Sequence, residues 1–238
     1  MEISASQVLS VGDRASATGI LVEDGSQHRL AMQAEGLYGE ILNAKQPPAL
    51  SISVQGLVEP PLDRMVTVRG IWSGVKIENA SVADGGRGVE TPRRIEPTLF
   101  PDVPGAVEES EILNSSLDRV FDTVKNGPIV AFVALRGPQG WFGVASAIDA
   151  PAVRSALEPI LNDRFVTVPS DWSISQVDEA LEMASAVTDP CLFGYFWDER
   201  GRFRAEIVVD HISRELASAL AQLPTDILHV ATWLRRED

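Results

Sequence analysis

Through the first third of the chain, hydrophobic and polar residues alternate singly, the period of half-buried strands. Residues 17–23 (ATGILVE) read as a strand, Asp24-Gly25-Ser26 as a turn and residues 28–34 as the return strand. Residues 37–46 read as a short helix or a loop. Three further strands follow at 50–57, 65–72 and 75–82, the last two joined by Ser73-Gly74 as a hairpin. In the fourth strand Val66, Val68 and Gly70 share one face, and Thr67, Arg69 and Ile71 the other. The interior glycines Gly19, Gly56 and Gly70 permit the tight curvature of a small closed barrel.

After residue 107 the period changes to that of helices. Leu117, Val120, Phe121 and Val124 line one face of a helix over 115–125, capped by Ser115 or Ser116 and stopped by Asn126-Gly127-Pro128. Strands follow at 129–135 and 141–148. Asp149 then caps a helix with Pro151 in its first turn and Val153, Leu157, Ile160 and Leu161 inward, before a strand at 164–168. The same order recurs. Ser173 or Ser175 caps a helix running to Val187 with Val177, Ala180, Leu181 and Ala184 inward, and strands follow at 191–197 and 203–209. Asp210 is expected to cap a helix to about Leu223, and 227–234 is the last strand. Pro128 and Pro190, Gly140 and Gly201, Phe142 and Phe203, and Asp149 and Asp210 correspond at offsets of 61 to 62 residues. The pattern reads as an internal duplication, about 115–172 and 173–238, of a helix-strand-strand-helix-strand unit. Residues 164–235 also follow the order of a ferredoxin-like fold.

Between these halves, residues 85–107 carry four Gly and four Pro without sustained periodicity, the composition of a linker. The expected organisation is therefore a small barrel over 1–84, a linker over 85–107 and an α+β domain over 108–238, α+β overall. Residues 10–85 resemble an OB-fold. The resemblance is carried by the hairpin VTVRGIWSGVKIENASV and the glycine-containing first strand ATGILVEDG. No family resemblance attaches to the second half.

Composition narrows the classes. The chain of 238 residues is 45% hydrophobic, ordinary for a globular protein, with a formal charge of −14. Residues 1–100 hold 9 Lys+Arg against 12 Asp+Glu; residues 101–238 hold 11 against 22. The acidity sits in the second half, which repels polyanions and suits a basic partner. No apolar run approaches the ~20 residues of a membrane span, and the N-terminus lacks the pattern of a secretory signal. Cys191 is the only cysteine, which excludes an intramolecular disulfide and cysteine-rich zinc sites. Together these features predict a cytoplasmic protein.

Catalytic signatures are missing. The sequence has no GxxxxGK[ST], GxGxxG after a strand, HExxH, CxxC or GxSxG. His28, His211 and His229 fall in three elements without metal-ligand spacing, and Asp210-His211 is explained by capping. Cys191 reads as a buried structural thiol, Glu108-Glu109-Ser110-Glu111 as a solvated acidic run before a helix, and Gly85-Gly86-Arg87-Gly88 as flexible linker. No catalytic, cofactor or metal residue is expected.

Two surfaces stand out. One is the hairpin tip of Trp197, Asp198, Glu199, Arg200 and Arg202, with Trp141 at the matching tip of the first unit; aromatics beside charges are the composition of interaction hot spots. The other is Arg69, Trp72 and Lys76 on the barrel hairpin, an aromatic-basic set of the kind that single-stranded nucleic-acid binding by an OB-fold needs. The leading expectation is a non-catalytic accessory protein, immunity- or chaperone-like, that binds another protein, basic in character, through its acidic domain. Single-stranded nucleic-acid or oligosaccharide binding by the barrel is the alternative, and a carboxylate-based enzyme the third reading.

Overall fold

The computed structural model describes residues 7–32, 51–86, 88–89, 94–113, 128–188 and 192–237. The expected helices at 37–46 and 115–125, and Cys191, lie outside the described residues. The protein is α+β. An N-terminal six-stranded sheet is followed by two small mixed sheets and three helices, with one further single-turn helix.

Strands β1 (Arg14–Asp24), β2 (Gln27–Met32), β3 (Ser51–Val54), β4 (Met65–Trp72) and β5 (Lys76–Asp84) are hydrogen-bonded in a ring. β1 pairs antiparallel with both β2 and β4; β2 pairs antiparallel with β3, β3 parallel with β5, and β5 antiparallel with β4. Two glycines allow the closure. At Gly19 β1 passes from pairing with β4 to pairing with β2, and a Cβ there would run into the Ala31 carbonyl. Gly70 sits at a register shift in β4, where a Cβ would lie 2.6 Å from Ile77 Cγ2. The alternating strands point Leu21, Leu30, Ile52, Val66, Val68 and Ile77 into one buried cluster, as their period dictates. The same cluster takes in Val208, Ala231, Trp233 and Leu234 from the end of the chain.

That end is held by backbone pairing. A short strand β12 (Arg235–Arg236) adds to the free edge of β1, with Ala15 opposite Arg236 and Ser16 opposite Arg235. The Trp233 indole N–H donates to the Thr18 carbonyl at 2.8 Å.

The second small group begins with a 3-10 turn (Pro97–Leu99) and the single-turn helix α1 (Glu109–Leu113). β6 (Ile129–Gly137) and β7 (Gly140–Ala147) form an antiparallel hairpin, and β8 (Phe165–Pro169) lies parallel to β7. Between them runs α2 (Ala150–Leu161). The Asp149 carboxylate accepts from the Ala152 amide at 3.0 Å, and Val153, Leu157 and Leu161 are buried. Helix α3 (Ile174–Ser185) starts from a reciprocal cap: Gln176 N–H donates to Ser173 Oγ, and Ser173 N–H donates to Gln176 Oε1. β9 (Leu192–Trp197), β10 (Phe203–Val209) and β11 (Leu228–Thr232) form the other small sheet, in the order β11-β10-β9. The two small sheets share one sequence of parts: hairpin, helix, then a strand beside the hairpin's second strand. The turn glycines Gly140 and Gly201 both take positive φ, +112° and +76°.

One expected cap is corrected. The helix after β10, α4 (Arg214–Leu220), starts at Ser213, whose hydroxyl accepts from the Leu216 amide, and it ends at Leu220. Asp210 instead accepts from the His211 amide at 2.7 Å. The reason is local: Ile212 bridges to Val8, so the chain stays extended past Asp210 before it can turn. Glu215, in the first turn, is held below the usual carboxylate range by its own backbone N–H and by the Ser213 hydroxyl.

Contacts divide the chain into two compact units. One is Met1–Thr91 with Leu181–Gly194 and Glu206–Asp238; the other is Pro92–Ala180 with Tyr195–Ala205. Among the described residues, no helix is long and apolar enough to cross a membrane.

Candidate interaction site

The tip joining β9 to β10 is built around a polar network. Its turn, Asp198-Glu199-Arg200-Gly201, closes with the Gly201 amide on the Asp198 carbonyl and the Asp198 amide on the Arg202 carbonyl, both 2.9 Å. Gly201 fits for two reasons: its φ is positive, and a Cβ would press on Val168 and Phe100 at 3.0 and 3.2 Å.

Strand alternation gives the hairpin two faces of different chemistry. On one face the Asp198 carboxylate is a hub. Its Oδ1 accepts from the Arg200 and Arg202 amides at 2.9 Å, and its Oδ2 accepts from Arg202 Nε at 2.8 Å and Arg204 Nε at 3.4 Å. Arg204 is only 3% exposed, a buried guanidinium of the kind that survives only with an anionic partner. Arg202 also approaches Asp171, at 3.8 Å. The Arg94 guanidinium lies over the buried Phe196 ring, 5.6 Å from its centre. Arg94 bridges to Asp198, and the Ile95 amide donates to the Trp197 carbonyl. Part of the stretch expected as linker is therefore hydrogen-bonded to this tip.

The other face is aromatic. Tyr195 stacks on Phe203 with centroids 5.2 Å apart and planes 16° apart, and Trp197 meets Phe203 edge-on at 5.7 Å. The Tyr195 hydroxyl donates to Asp178 on α3 at 2.6 Å. Despite these contacts Tyr195 is 43% exposed, and Phe193, two residues earlier in β9, is 63% exposed. Tyr195, Phe203 and Trp197 thus form an aromatic group tied to a carboxylate, with Tyr195 open to solvent.

The residues expected at the tip thus divide. Asp198 and Arg202 are held by each other. Trp197 belongs to the aromatic face, and the Glu199 and Arg200 side chains project from the exposed end. Trp141 stands elsewhere, at the tip of β6–β7, paired through its backbone with Ala106. Phe203 is one of the aromatics flanking the tip and the match of Phe142 in the repeat, but Tyr195 reads only as a strand residue, and nothing in the sequence pairs Asp178 with Tyr195.

On the N-terminal ring, Arg69, Trp72 and Lys76 do not come together as a ligand face. Trp72 is 2% exposed, inside the core cluster and against the His211 ring at 5.4 Å, so it has no face to offer a base. Alternation accounts for this: Trp72 shares the face of β4 that buries Val66 and Val68, whereas Arg69 lies on the opposite, exposed face. Arg69 is exposed and paired with Glu237 at 2.8 Å; Lys76 is paired with Glu78 at 3.0 Å.

His211 Nδ1 lies 2.9 Å from Asp210, but its ring faces Trp72 rather than a nucleophile. Among the described residues no group of three His, Cys, Asp or Glu side chains could hold a metal ion. A cleft of about 460 Å³ has two carboxylates in its wall, Glu59 and Asp84. Both are exposed, and no Arg, Lys or His among the described residues lines the cleft beside them. The chain matches no family model and no curated protein.

Proposed function

We propose that this protein is a non-catalytic, cytosolic binding protein of the accessory, immunity- or chaperone-like kind, which docks another protein on the aromatic face of the β9–β10 hairpin. The observation that carries the reading is the Tyr195–Phe203 stack, pinned by Asp178 yet open to solvent. A ring already fixed by a stack and a hydrogen bond loses little side-chain entropy on docking, which is how aromatic anchors become hot spots. The partner is basic. The Asp178 carboxylate accepts from Tyr195, and from residue 101 onward acids outnumber bases 22 to 11. The single cysteine fits the cytosol.

We also infer that the N-terminal ring is an OB-like barrel and that the two hairpin-helix-strand groups are copies of one ancestral unit. The ring order β1-β2-β3-β5-β4 and its parallel β3–β5 pair support the first, although residues 55–64 hold no helix. The repeated strand order and the positive-φ glycines Gly140 and Gly201 support the second. Binding of single-stranded nucleic acid or oligosaccharide on the Arg69–Lys76 hairpin is the weaker reading, because Trp72 is covered.

The test is co-purification from the organism that makes the protein, with wild type and Tyr195→Glu compared quantitatively. A protein partner retained by wild type and reduced at least about tenfold by the variant is expected. Circular dichroism of both proteins checks that the exposed substitution leaves the fold intact. Equal recovery of every partner by the two proteins would overturn the proposal.

A further inference from the structure

We propose that the seam between β1 and β4, on the face away from the core, binds the phosphate group of a small anionic ligand. This goes beyond the protein-docking reading and uses different residues. Register puts the pieces together. Ser16 stands opposite Arg69 on β4 and opposite Arg235 on β12. Directly opposed residues of antiparallel strands share a face, so two guanidinium groups flank one hydroxyl in a single cross-strand row. A cleft of about 220 Å³ opens there, lined by Ser16, Ala17, Thr18, Thr67, Gly86, Gly88, Trp233 and Arg235 and, among the described residues, by no carboxylate.

The glycine-rich loop after β5 lies against this seam for a steric reason. At Gly86, φ is +137°, and a Cβ would sit 2.7 Å from Thr18 Oγ1, so only glycine lets the backbone come so close. Two hydroxyl protons hold the loop in place. Thr67 Oγ1 donates to the Gly85 carbonyl at 2.8 Å, which leaves Thr18 Oγ1 as the donor in its 2.8 Å bond to Thr67. The Ser16 hydroxyl and the Arg235 guanidinium have no partner among the described residues. A guanidinium and a hydroxyl beside glycine backbone form a donor set for a tetrahedral oxyanion.

The surrounding charges agree. Arg69 already holds one carboxylate, since its Nε donates to Glu237 Oε1 at 2.8 Å. The row therefore attracts oxyanions, and Glu237 is the internal competitor. Arg236, next along β12, pairs with Asp13 at 3.7 Å. Pairing of β12 with β1, and the Glu237 amide on the Arg14 carbonyl, fix the backbone from which Arg235 projects, so the donors are arranged before a ligand arrives. In a chain of charge −14 this is a local positive spot whose volume suits a phosphate ester headgroup, while the acidic remainder disfavours a long polyanion.

The experiment is a thermal and calorimetric titration of the full chain with inorganic pyrophosphate at constant ionic strength. Wild type should show saturable binding and a rising melting temperature, with no rise for matched chloride. Arg235→Glu and Ser16→Asp should each weaken binding by roughly tenfold or more, with circular dichroism and unliganded melting close to wild type in at least one of them. Absence of saturable binding to wild type, or wild-type affinity in both variants, would overturn the site. A single-stranded oligonucleotide that binds more tightly than pyrophosphate at equal phosphate concentration would overturn the assignment to a small ligand.

Discussion

Asp198→Ala is expected to destabilise the protein by about 3 kcal/mol. The carboxylate accepts from two backbone amides of the β9–β10 turn and from Arg202 Nε and Arg204 Nε. Its loss removes the turn's internal acceptor and deprives the buried Arg204 of this anionic partner at one stroke. Asp198→Asn should cost less, because an amide oxygen keeps the two backbone bonds while the charge is lost. Chemical denaturation followed by fluorescence and circular dichroism measures both. A cost for Asp198→Ala within about 0.5 kcal/mol of zero, the range of ordinary surface substitutions, would mean that the carboxylate is a solvated turn residue and that the hub has no structural weight.

Trp233→Ala should be the most damaging single truncation, at about 4 kcal/mol. The indole is 3% exposed, packs in the same cluster as the β1, β2 and β4 side chains, and donates to the Thr18 carbonyl. The indole is core because β12 carries the chain back onto β1. For a chain of this length that cost corresponds to a fall of roughly 10 °C in melting temperature. Trp233→Phe keeps most of the bulk and loses the hydrogen bond, so its cost should be close to 1 kcal/mol. Equal melting temperatures for wild type and Trp233→Ala would show that the terminal segment is not part of the N-terminal core.

Much of the architecture was legible in the residues, for reasons that Trp233 also marks the limit of. β4 and β10 were read with their observed bounds, because alternation is local and each borders a strong turn. Asp149 was read correctly as a cap, because capping involves only the next three residues. Asp210 has the same local look and failed, because a long-range bridge from Val8 to Ile212 keeps its neighbours extended. Arg235-Arg236 gives no strand signal at all; its pairing depends on the vacant edge of β1, which no local window contains. The site shows the same division. The turn chemistry of Asp198 and Gly201 is written in four consecutive residues. Trp72 shares the face of β4 with the buried Val66 and Val68, so alternation alone turns it inward; the exposure of Tyr195 depends on which face of β9 meets the core. That is a tertiary fact, and the identical residue types carry no sign of it.

The account's central claim is that the aromatic face of β9–β10 is where another protein docks. The most direct measurement places a photo-crosslinking phenylalanine analogue at position 195 and, as a control, at the exposed Val58 of the N-terminal ring. Irradiation in the producing cells should join a defined protein partner at position 195 and not at position 58. No adduct at 195, or the same adducts from both positions, would contradict it.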